Sequence, residues 1–266
     1  MVQSFSLSLA AVDILFEHLK LGHAPFPFEV PHLGQTFTER SQIRQAVFHD
    51  LEGRDLMRGG RPDADVEAAL VTFARGPVAV TAAAKLDKGE KLFARSAVDG
   101  QMAVLATRDG NLIVFNVIRP VGLVPEIVNL IPSTRPAPGQ SVTIAQPQQP
   151  QQPQQQSRGR HAAPDSYDPF ADVSAPRSRP DPQMRMVERM FSKPQLRMGQ
   201  FTVFAQGRNG KFRHFDPVVW FDSEDGRVFT TSRSAEDGQK WLTYAPADNA
   251  RIVQHLSSQV QPFLQR

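Results

Sequence analysis

The apolar positions of this chain follow two periods, and these separate predicted helices from predicted strands. Three amphipathic helices are predicted in the first 76 residues, each beginning at a side chain that can accept a hydrogen bond from a free amide of the first turn. These caps are Ser8, Thr36 and Asp63. Glu39 follows Thr36 at the spacing of a capping box. A short strand at residues 5–7 precedes the first helix.

Four strands are predicted to follow in an antiparallel meander. They cover residues 78–84, 91–98, 102–107 and 112–117. Asp-Gly pairs separate the later strands, and hairpin turns of two residues favour such pairs because they require positive φ. A short helix at residues 123–130 completes this part of the chain.

The order of elements then repeats, with a helix from Asp181, four strands and a last helix that begins near Asp248. The four strands are predicted at residues 199–206, 212–221, 227–232 and 240–244. The repeat predicts an α+β fold, in which a central antiparallel β-sheet carries helical bundles in two pseudo-symmetric halves, 1–132 and 181–266. Because residues 112–115 and 218–221 are apolar at successive positions, we expect central strands that are covered on both faces, with one face reserved for a partner as the alternative.

The stretch between the halves, residues 133–180, differs in composition. It is rich in Gln and Pro, above all at residues 146–156, and such a sequence buries too little apolar area to offset its ordering entropy. We therefore predict a disordered, flexible linker. Tyr167, Pro169, Phe170 and Val173 form a small apolar island in it, which is either incidental or a short docking segment.

Composition narrows the classes of function. The chain has 266 residues, with 30 basic and 27 acidic side chains and a formal charge of +3, which does not indicate a nucleic-acid-binding surface. It has no cysteine, and its first apolar run has the spacing of an amphipathic helix rather than of a signal peptide. No apolar stretch reaches the roughly 20 residues that a membrane-spanning helix needs. We expect a cytoplasmic protein without membrane insertion, monomeric or a weak homodimer.

No local motif for catalysis, cofactor binding or metal binding occurs, so we predict none of these sites. The acidic residues 222–226 depart from a calcium loop, because their glycine comes one position early and Arg233 stands where the bidentate Glu belongs. A basic hairpin with interleaved rings is interpreted as exposed charges around buried rings. It contains Arg208, Lys211, Phe212, Arg213, His214 and Phe215. A small-molecule hydrolase or sensor with scattered catalytic residues stays open, because such groups need no sequence proximity.

The C-terminal third carries a set of residues that resembles the EspG family, the secretion-associated proteins of actinobacterial type VII (ESX) secretion. These residues are Gly199-Gln200-Phe201, Trp220-Phe221-Asp222, Glu224-Asp225-Gly226-Arg227, Trp241 and Ala245-Pro246-Ala247-Asp248. The early helix before residues 25–28 and the helix start at residues 36–40 resemble the family as well. The resemblance covers the whole chain except the linker.

This resemblance implies a non-enzymatic cytosolic chaperone with an α+β fold about a pseudo-twofold axis. Members of the family bind the helical tip of the PPE subunit in PE–PPE heterodimers and keep that substrate soluble until export. In the family, contacts come from the sheet, from the loop between the second and third strands and from the C-terminal bundle. Carried to this chain, the loop consists of Leu86, Asp87, Lys88, Gly89 and Glu90. An adaptor or regulatory module with a different partner is the alternative.

The linker prediction can be tested by deletion. Removal of residues 146–156 should change the free energy of unfolding by less than about 1 kcal/mol, because nothing in a Gln/Pro tract is expected to pack. Denaturant unfolding of the full chain and of the deletion variant measures the difference. A large loss of stability would show that the tract is ordered.

Overall fold

The computed structural model describes residues 3–146, 182–207, 210–235 and 238–264. In these residues, eleven strands form one antiparallel sheet, two form a separate ribbon, and six α-helices pack around them. The helices are α1 (Leu9–His18), α2 (Phe37–Gly53), α3 (Ala64–Arg75), α4 (Pro125–Val128), α5 (Pro182–Phe191) and α6 (Asn249–Leu264). The α+β class predicted from the sequence is confirmed.

The strands appear in the chain in the order of their numbers. In the first half they are β1 (Ser4–Ser8), β2 (Met57–Arg58), β3 (Arg61–Pro62), β4 (Val78–Lys85), β5 (Lys91–Asp99), β6 (Met102–Asp109) and β7 (Leu112–Ile118). The later strands are β8 (Val142–Ala145), β9 (Arg197–Gln206), β10 (Phe212–His214), β11 (Val218–Ser223), β12 (Gly226–Ser234) and β13 (Lys240–Pro246).

The order of strands across the sheet contains the predicted repeat. The order is β1-β7-β6-β5-β4-β9-β11-β12-β13-β8, and β10 pairs beside β9. In each half an edge strand pairs with the last strand of a meander, β1 with β7 and β8 with β13. The two meanders meet in the centre, where β4 and β9 pair antiparallel over eight residues, from Val78↔Ala205 to Lys85↔Met198. This arrangement gives the sheet its pseudo-twofold character.

Part of the predicted linker is ordered, which corrects the sequence analysis. Residues 142–145 form β8. In the segment before β8, Pro136 forms a parallel bridge with Arg227 of β12. Val142 and Ile144 are buried against α5, and they alternate with the exposed Thr143 and Ala145, as in a strand with one buried face. The Gln/Pro content that follows concealed this short alternation. The amide of Gln146 also bonds to the carbonyl of Lys240 at 2.8 Å. Residues 147–180 of the predicted linker, which include the apolar island, lie outside the described residues.

Two further differences from the prediction concern element boundaries. The strand predicted at 212–221 is two strands, β10 and β11, separated by Phe215, Asp216 and Pro217. Pro217 has no amide hydrogen to continue a ladder, so the pairing changes there. The helix predicted at 123–130 is shorter, covering only α4. The β2–β3 ribbon was not predicted from the sequence. Asp181, where the helix of the second half was predicted to begin, lies outside the described residues.

Helices cover both faces of the sheet in a complementary arrangement. Helices α4 and α6 pack on one face over the central strands, with Trp220, Phe201 and Val203 beneath them. The other face is covered by α1, α2 and α3 over the first meander and by α5 over the second. In β11, Val218 and Trp220 therefore face one layer and Phe221 the other, as expected of a central strand. The same expectation is wrong for β7, which lies next to the edge strand β1: Ile113 and Phe115 are buried, but Leu112 is 41% exposed.

The predicted helix caps form the expected hydrogen bonds. The Ser8 hydroxyl accepts from the amide of Ala11 at 3.1 Å. Thr36 and Glu39 form a complete capping box at the start of α2. Asp63 accepts from the amide of Asp65 at 2.9 Å, at the start of α3. Each cap satisfies an amide that has no partner inside its own helix, so these residues fix where the helices begin.

An ion-pair cluster joins α1 to α2. Arg40 on α2 contacts both Asp13 and Glu17 on α1, and Arg44 contacts Glu17. Burial alone would raise the pKa of Asp13, but hydrogen bonds from Arg40 and from the amide of Leu33 outweigh it and lower that pKa below its ordinary value. The hydrogen bond from Arg40 likewise lowers the pKa of Glu17. Both carboxylates therefore stabilise the folded chain only while they are ionised.

This cluster predicts acid sensitivity. A lowered folded-state pKa means that the unfolded chain binds more protons, so the stabilisation is complete above about pH 5 and is lost as the pH falls below about 4. The double variant Asp13→Asn/Glu17→Gln should have a lower free energy of unfolding at pH 7 and a shallower loss of it between about pH 5 and 2. Asp55→Asn, at a carboxylate that is 85% exposed, is the control. A double variant with the wild-type pH dependence would contradict the assignment.

Candidate partner-binding site

The loop that the resemblance selects joins β4 to β5 at one end of the sheet. Its base is closed by backbone hydrogen bonds, from the amide of Leu86 to the carbonyl of Glu90 at 2.7 Å and from the amide of Glu90 to the carbonyl of Asp87 at 3.1 Å. Lys88 and Gly89 are left-handed, with φ of 56° and 81°. Leu86 packs against the core, whereas residues 87–90 are exposed. The loop therefore presents a short polar tip to solvent.

Two other connections lie at the same end of the sheet as this loop, which we call the loop end. The register places Lys85 beside Met198 and Met198 beside Phe221, so the start of β9 and the β11–β12 turn are its neighbours. Lys193, before β9, pairs with Glu224 and Asp225 of that turn at 3.7 and 3.8 Å. Leu196 is 52% exposed among these charges. The loop end thus combines mixed charges with one apolar side chain.

Arg197 connects the loop to the interior of the protein. Its Nη2 lies 2.8 Å from Oδ2 of Asp87, and its Nη1 lies 3.4 Å from Oδ2 of Asp222. The hydrogen bond to Asp87 raises the pKa of Arg197, and the negative charge of both carboxylates adds to this against the effect of burial. The guanidinium is therefore a fixed positive charge between an exposed and a buried carboxylate.

The buried carboxylate belongs to an ion pair in the core. Asp222 is 2% exposed in its side chain and Arg227 is fully buried. Arg227 binds it with two donors, Nε to Oδ1 at 2.6 Å and Nη2 to Oδ2 at 2.9 Å. The hydroxyl of Thr134 donates to Oδ2 at 3.0 Å. Bidentate pairing of this kind satisfies both charges in a site without bulk water.

Arg227 also binds groups from both halves of the chain. Its Nη2 donates to the carbonyl of Pro132 at 2.8 Å, and its Nη1 donates to Oδ1 of Asn249. The amide nitrogen of the Asn249 side chain donates in turn to the carbonyls of Val128 and Ile131 at 3.4 and 3.3 Å. The end of the first half and the start of α6 are therefore held by one guanidinium.

A tryptophan and a glycine complete the surroundings of Arg227. The guanidinium lies 4.6 Å from the ring centroid of Trp220, a cation–π distance. Gly199 lies opposite Trp220 in the sheet, and Ala84 lies opposite Gly199. A Cβ at Gly199 would approach Ala84 Cβ at 2.6 Å and the Trp220 ring at 2.9 Å. Only glycine leaves room there for the indole.

The other glycine of the family pattern has a similar steric reason. Gly226 takes a φ of 130°, and a Cβ at this position would lie 2.6 Å from the carbonyl oxygen of Arg135. Residues 135–137 lie alongside the start of β12. There the backbone amide of Arg227 donates to the carbonyl of Arg135, and the amide of Ala137 donates to the carbonyl of Arg227. Gly199, Trp220, Asp222, Gly226 and Arg227, which carried the resemblance, thus have structural roles in the core.

Sequence reasoning missed several residues of this region. Arg197, Thr134 and Asn249 had no assigned role, because each acts on a residue distant in the chain. The acidic stretch at 222–226 is a hairpin turn as expected, and Asp222 is used by Arg227. A groove between α5 and residues 137–140 was also not foreseen. It is lined by Met186, Arg189, Met190, Val228, Ala137 and Pro138, among others.

The basic hairpin differs in part from its prediction. Phe215 packs against Phe263 of α6, with ring centroids 5.8 Å apart, but Phe212 on β10 is 50% exposed. Lys211, Arg213 and His214 are exposed, and Arg208 lies outside the described residues. Within the described ranges, no group of three or more acidic or histidine side chains is placed to hold a metal ion. No helix there is long and apolar enough to cross a membrane.

The contacts of Gly199 predict a steric effect on stability. Gly199→Ala should lower the free energy of unfolding by about 1–3 kcal/mol, because the new methyl group overlaps Ala84 and displaces the Trp220 ring. Gly53→Ala is the matched control, since a Cβ there meets nothing within 4 Å. Denaturant unfolding compares the two. Equal stabilities of both variants would show that the packing around Trp220 is loose.

The buried pair predicts a larger effect. Arg227→Met should cost about 3–5 kcal/mol, because it leaves Asp222 buried without its main counter-charge. Arg233→Met, on the exposed end of the same strand, is the control. Thermal and denaturant unfolding measure both. A loss below about 1 kcal/mol for Arg227→Met would mean that water or another cation replaces the guanidinium.

Comparison with known proteins agrees with this architecture. Among solved structures, the chain is similar to the Mycobacterium tuberculosis type VII secretion system chaperone EspG5, whose structure was determined in complex with the PE25-PPE41 dimer. The TM-score is 0.62 at 14% sequence identity, over 94% of this chain and 93% of that chain, which shows a shared fold. No curated protein sequence gives a significant match. The ESX-1_EspG family model matches residues 8–258, and the protein therefore belongs to the EspG family.

Proposed function

We propose that this protein is a cytoplasmic, non-enzymatic chaperone of type VII secretion that binds a helical PE–PPE-type dimer and keeps it soluble for export. The observation that carries the proposal is the match of the EspG family model to residues 8–258. The likeness to EspG5, bound to a PE–PPE dimer, supports it over nearly the full length of both chains. The exposed apolar tip of a helical substrate would aggregate without such a partner.

The loop at Leu86, Asp87, Lys88, Gly89 and Glu90 is the proposed contact with the substrate. Its position supports this role, because the tip is exposed and its base is closed by backbone hydrogen bonds. Both charge signs are present on the tip, in Asp87, Lys88 and Glu90, so it can pair with polar side chains that border the apolar tip of the substrate. Leu196 and the charged turn at 224–225 lie beside it and extend the surface.

A non-enzymatic role is consistent with how the polar signature residues are used. Asp222 and Arg227 form a bidentate ion pair in the core. The Asn249 side chain is hydrogen-bonded to Arg227 and to two backbone carbonyls. These groups are turned toward each other inside the protein and are not presented to a substrate. The proposal therefore assigns these residues to stability and assigns binding to the loop end.

The experiment is co-expression of this chain with PE–PPE pairs from its own genome and with the PE25-PPE41 dimer. A stable complex with one copy of each chain, measured by size-exclusion chromatography with light scattering, is expected for at least one genomic pair. The dimer should remain in the soluble fraction only when this chain is present. Failure of every genomic pair to bind would contradict the proposed function.

Lys88→Glu tests the loop within that complex. Charge reversal at an exposed tip should raise the dissociation constant at least about tenfold, or roughly 1.4 kcal/mol, by changing the charge that faces the partner. Lys20→Glu is a close control, because Lys20 is also an exposed lysine with left-handed backbone, φ 53° against 56° at Lys88. Titration calorimetry compares the two. Equal affinities would remove the loop from the interface without affecting the chaperone assignment.

A further inference from the structure

Arg197 lies between two carboxylates that differ strongly in exposure. The side chain of Asp87 is 56% exposed and that of Asp222 is 2% exposed, and the guanidinium contacts both. Asp222 is held on its other side by Arg227 and Thr134. Asp222 is therefore a fixed point, and Arg197 extends from it toward the loop.

The Arg197 side chain is committed to these two contacts. Its Nε is buried and has no hydrogen-bond partner among the described residues. A buried donor without a partner is unfavourable, so the contacts of Nη1 and Nη2 must outweigh this cost. The two carboxylates thus hold the side chain in place. Two different nitrogens, Nη2 and Nη1, bind the two carboxylates, and a lysine at this position would offer a single nitrogen in their place.

The loop has few other constraints. Within the described part of the chain, the ion pair of Asp87 with Arg197 is the one side-chain hydrogen bond or salt bridge that joins residues 86–90 to another element. The remaining constraints are the two backbone hydrogen bonds at its base and the apolar packing of Leu86. Lys88 takes a left-handed conformation that non-glycine residues adopt at a cost. A loop of this kind needs an external tether to keep one conformation.

We propose that Arg197 is a positioning residue, which ties Asp87 of the loop to the buried Asp222–Arg227 pair and so holds the loop in the conformation that meets the partner. The link between Arg197 and the loop conformation stands on the contacts above. Its consequence for the partner rests on the proposed function. The loop is thereby connected to the same buried pair that joins the two halves of the chain.

Hydrogen–deuterium exchange on the full-length protein tests the loop without any partner. Arg197→Gln and Asp87→Ala should each speed exchange of the amides of Leu86 and Glu90, whose hydrogen bonds close the loop, by about tenfold. The double variant should be no faster than Arg197→Gln alone, because both changes remove one contact. Arg197→Lys should restore protection only in part. Lys193→Gln, which alters the neighbouring pairs to Glu224 and Asp225, is the control and should leave the loop unchanged.

Asp87→Ala keeps the test decisive if Arg197→Gln folds poorly, because it removes the contact with Arg197 and leaves the contacts of Asp222 intact. Wild-type exchange in Asp87→Ala would overturn the proposal. Additive effects of the two single variants would also overturn it, since Arg197 would then act on the loop by another route.

Affinity for a PE–PPE dimer that binds the wild-type chain gives the second readout. Asp87→Ala and Arg197→Gln should weaken binding by about the same factor, and together by no more than that factor. If Lys88→Glu weakens binding but the Asp87 and Arg197 variants show faster loop exchange with unchanged affinity, the positioning role is overturned. If no dimer binds the wild-type chain, the proposed function fails, while the exchange result still decides whether Arg197 holds the loop.

Discussion

A buried arginine requires a counter-charge, and much of this fold is arranged around that requirement. Arg227 has no solvent exposure, so its charge is neutralised by Asp222 and its other donors are used by groups from distant parts of the chain. The pair fixes where α6 begins, where the first half ends and how the indole of Trp220 lies. Such a pair favours one arrangement of the two halves, because any shift would leave a charge unpaired in the core.

The sequence carried most of the local structure, because capping and hairpin signals are short-range. Ser8, Thr36 and Asp63 identified helix starts from a few neighbouring residues, and the Asp-Gly turns separated the strands. The failures were also local in origin. Strand β8 is four residues long and is followed at once by the Gln/Pro tract, so composition outweighed its alternation. The repeat could have predicted β8, because an edge strand precedes α1 in the first half and an equivalent edge strand precedes α5 in the second.

The candidate site was less accessible to sequence reasoning. The loop position came from family resemblance, whereas its tether depends on residues that meet only in the folded sheet. Asp87, Arg197 and Asp222 lie on three different segments, and no spacing in the chain connects them. The division into halves at residues 132 and 181 stays a prediction in detail, although β8 belongs with the second meander. Long-range polar contacts of this kind have no periodic signature, because the sheet register decides them.

The central pairing of β4 with β9 has a consequence for how the chain is made. Strand β4 ends at Lys85, and its partner begins at Arg197. At roughly 5–20 residues per second, a ribosome needs on the order of ten seconds to synthesise the residues between them. Once β7 has been made, for the rest of that interval, the first meander has one side of β4 unpaired, as an open edge of valine and alanine. Closure of this seam must be a late step in biosynthesis, and a ribosome paused within the Gln/Pro tract would display half a sheet with its interior edge exposed to other nascent chains.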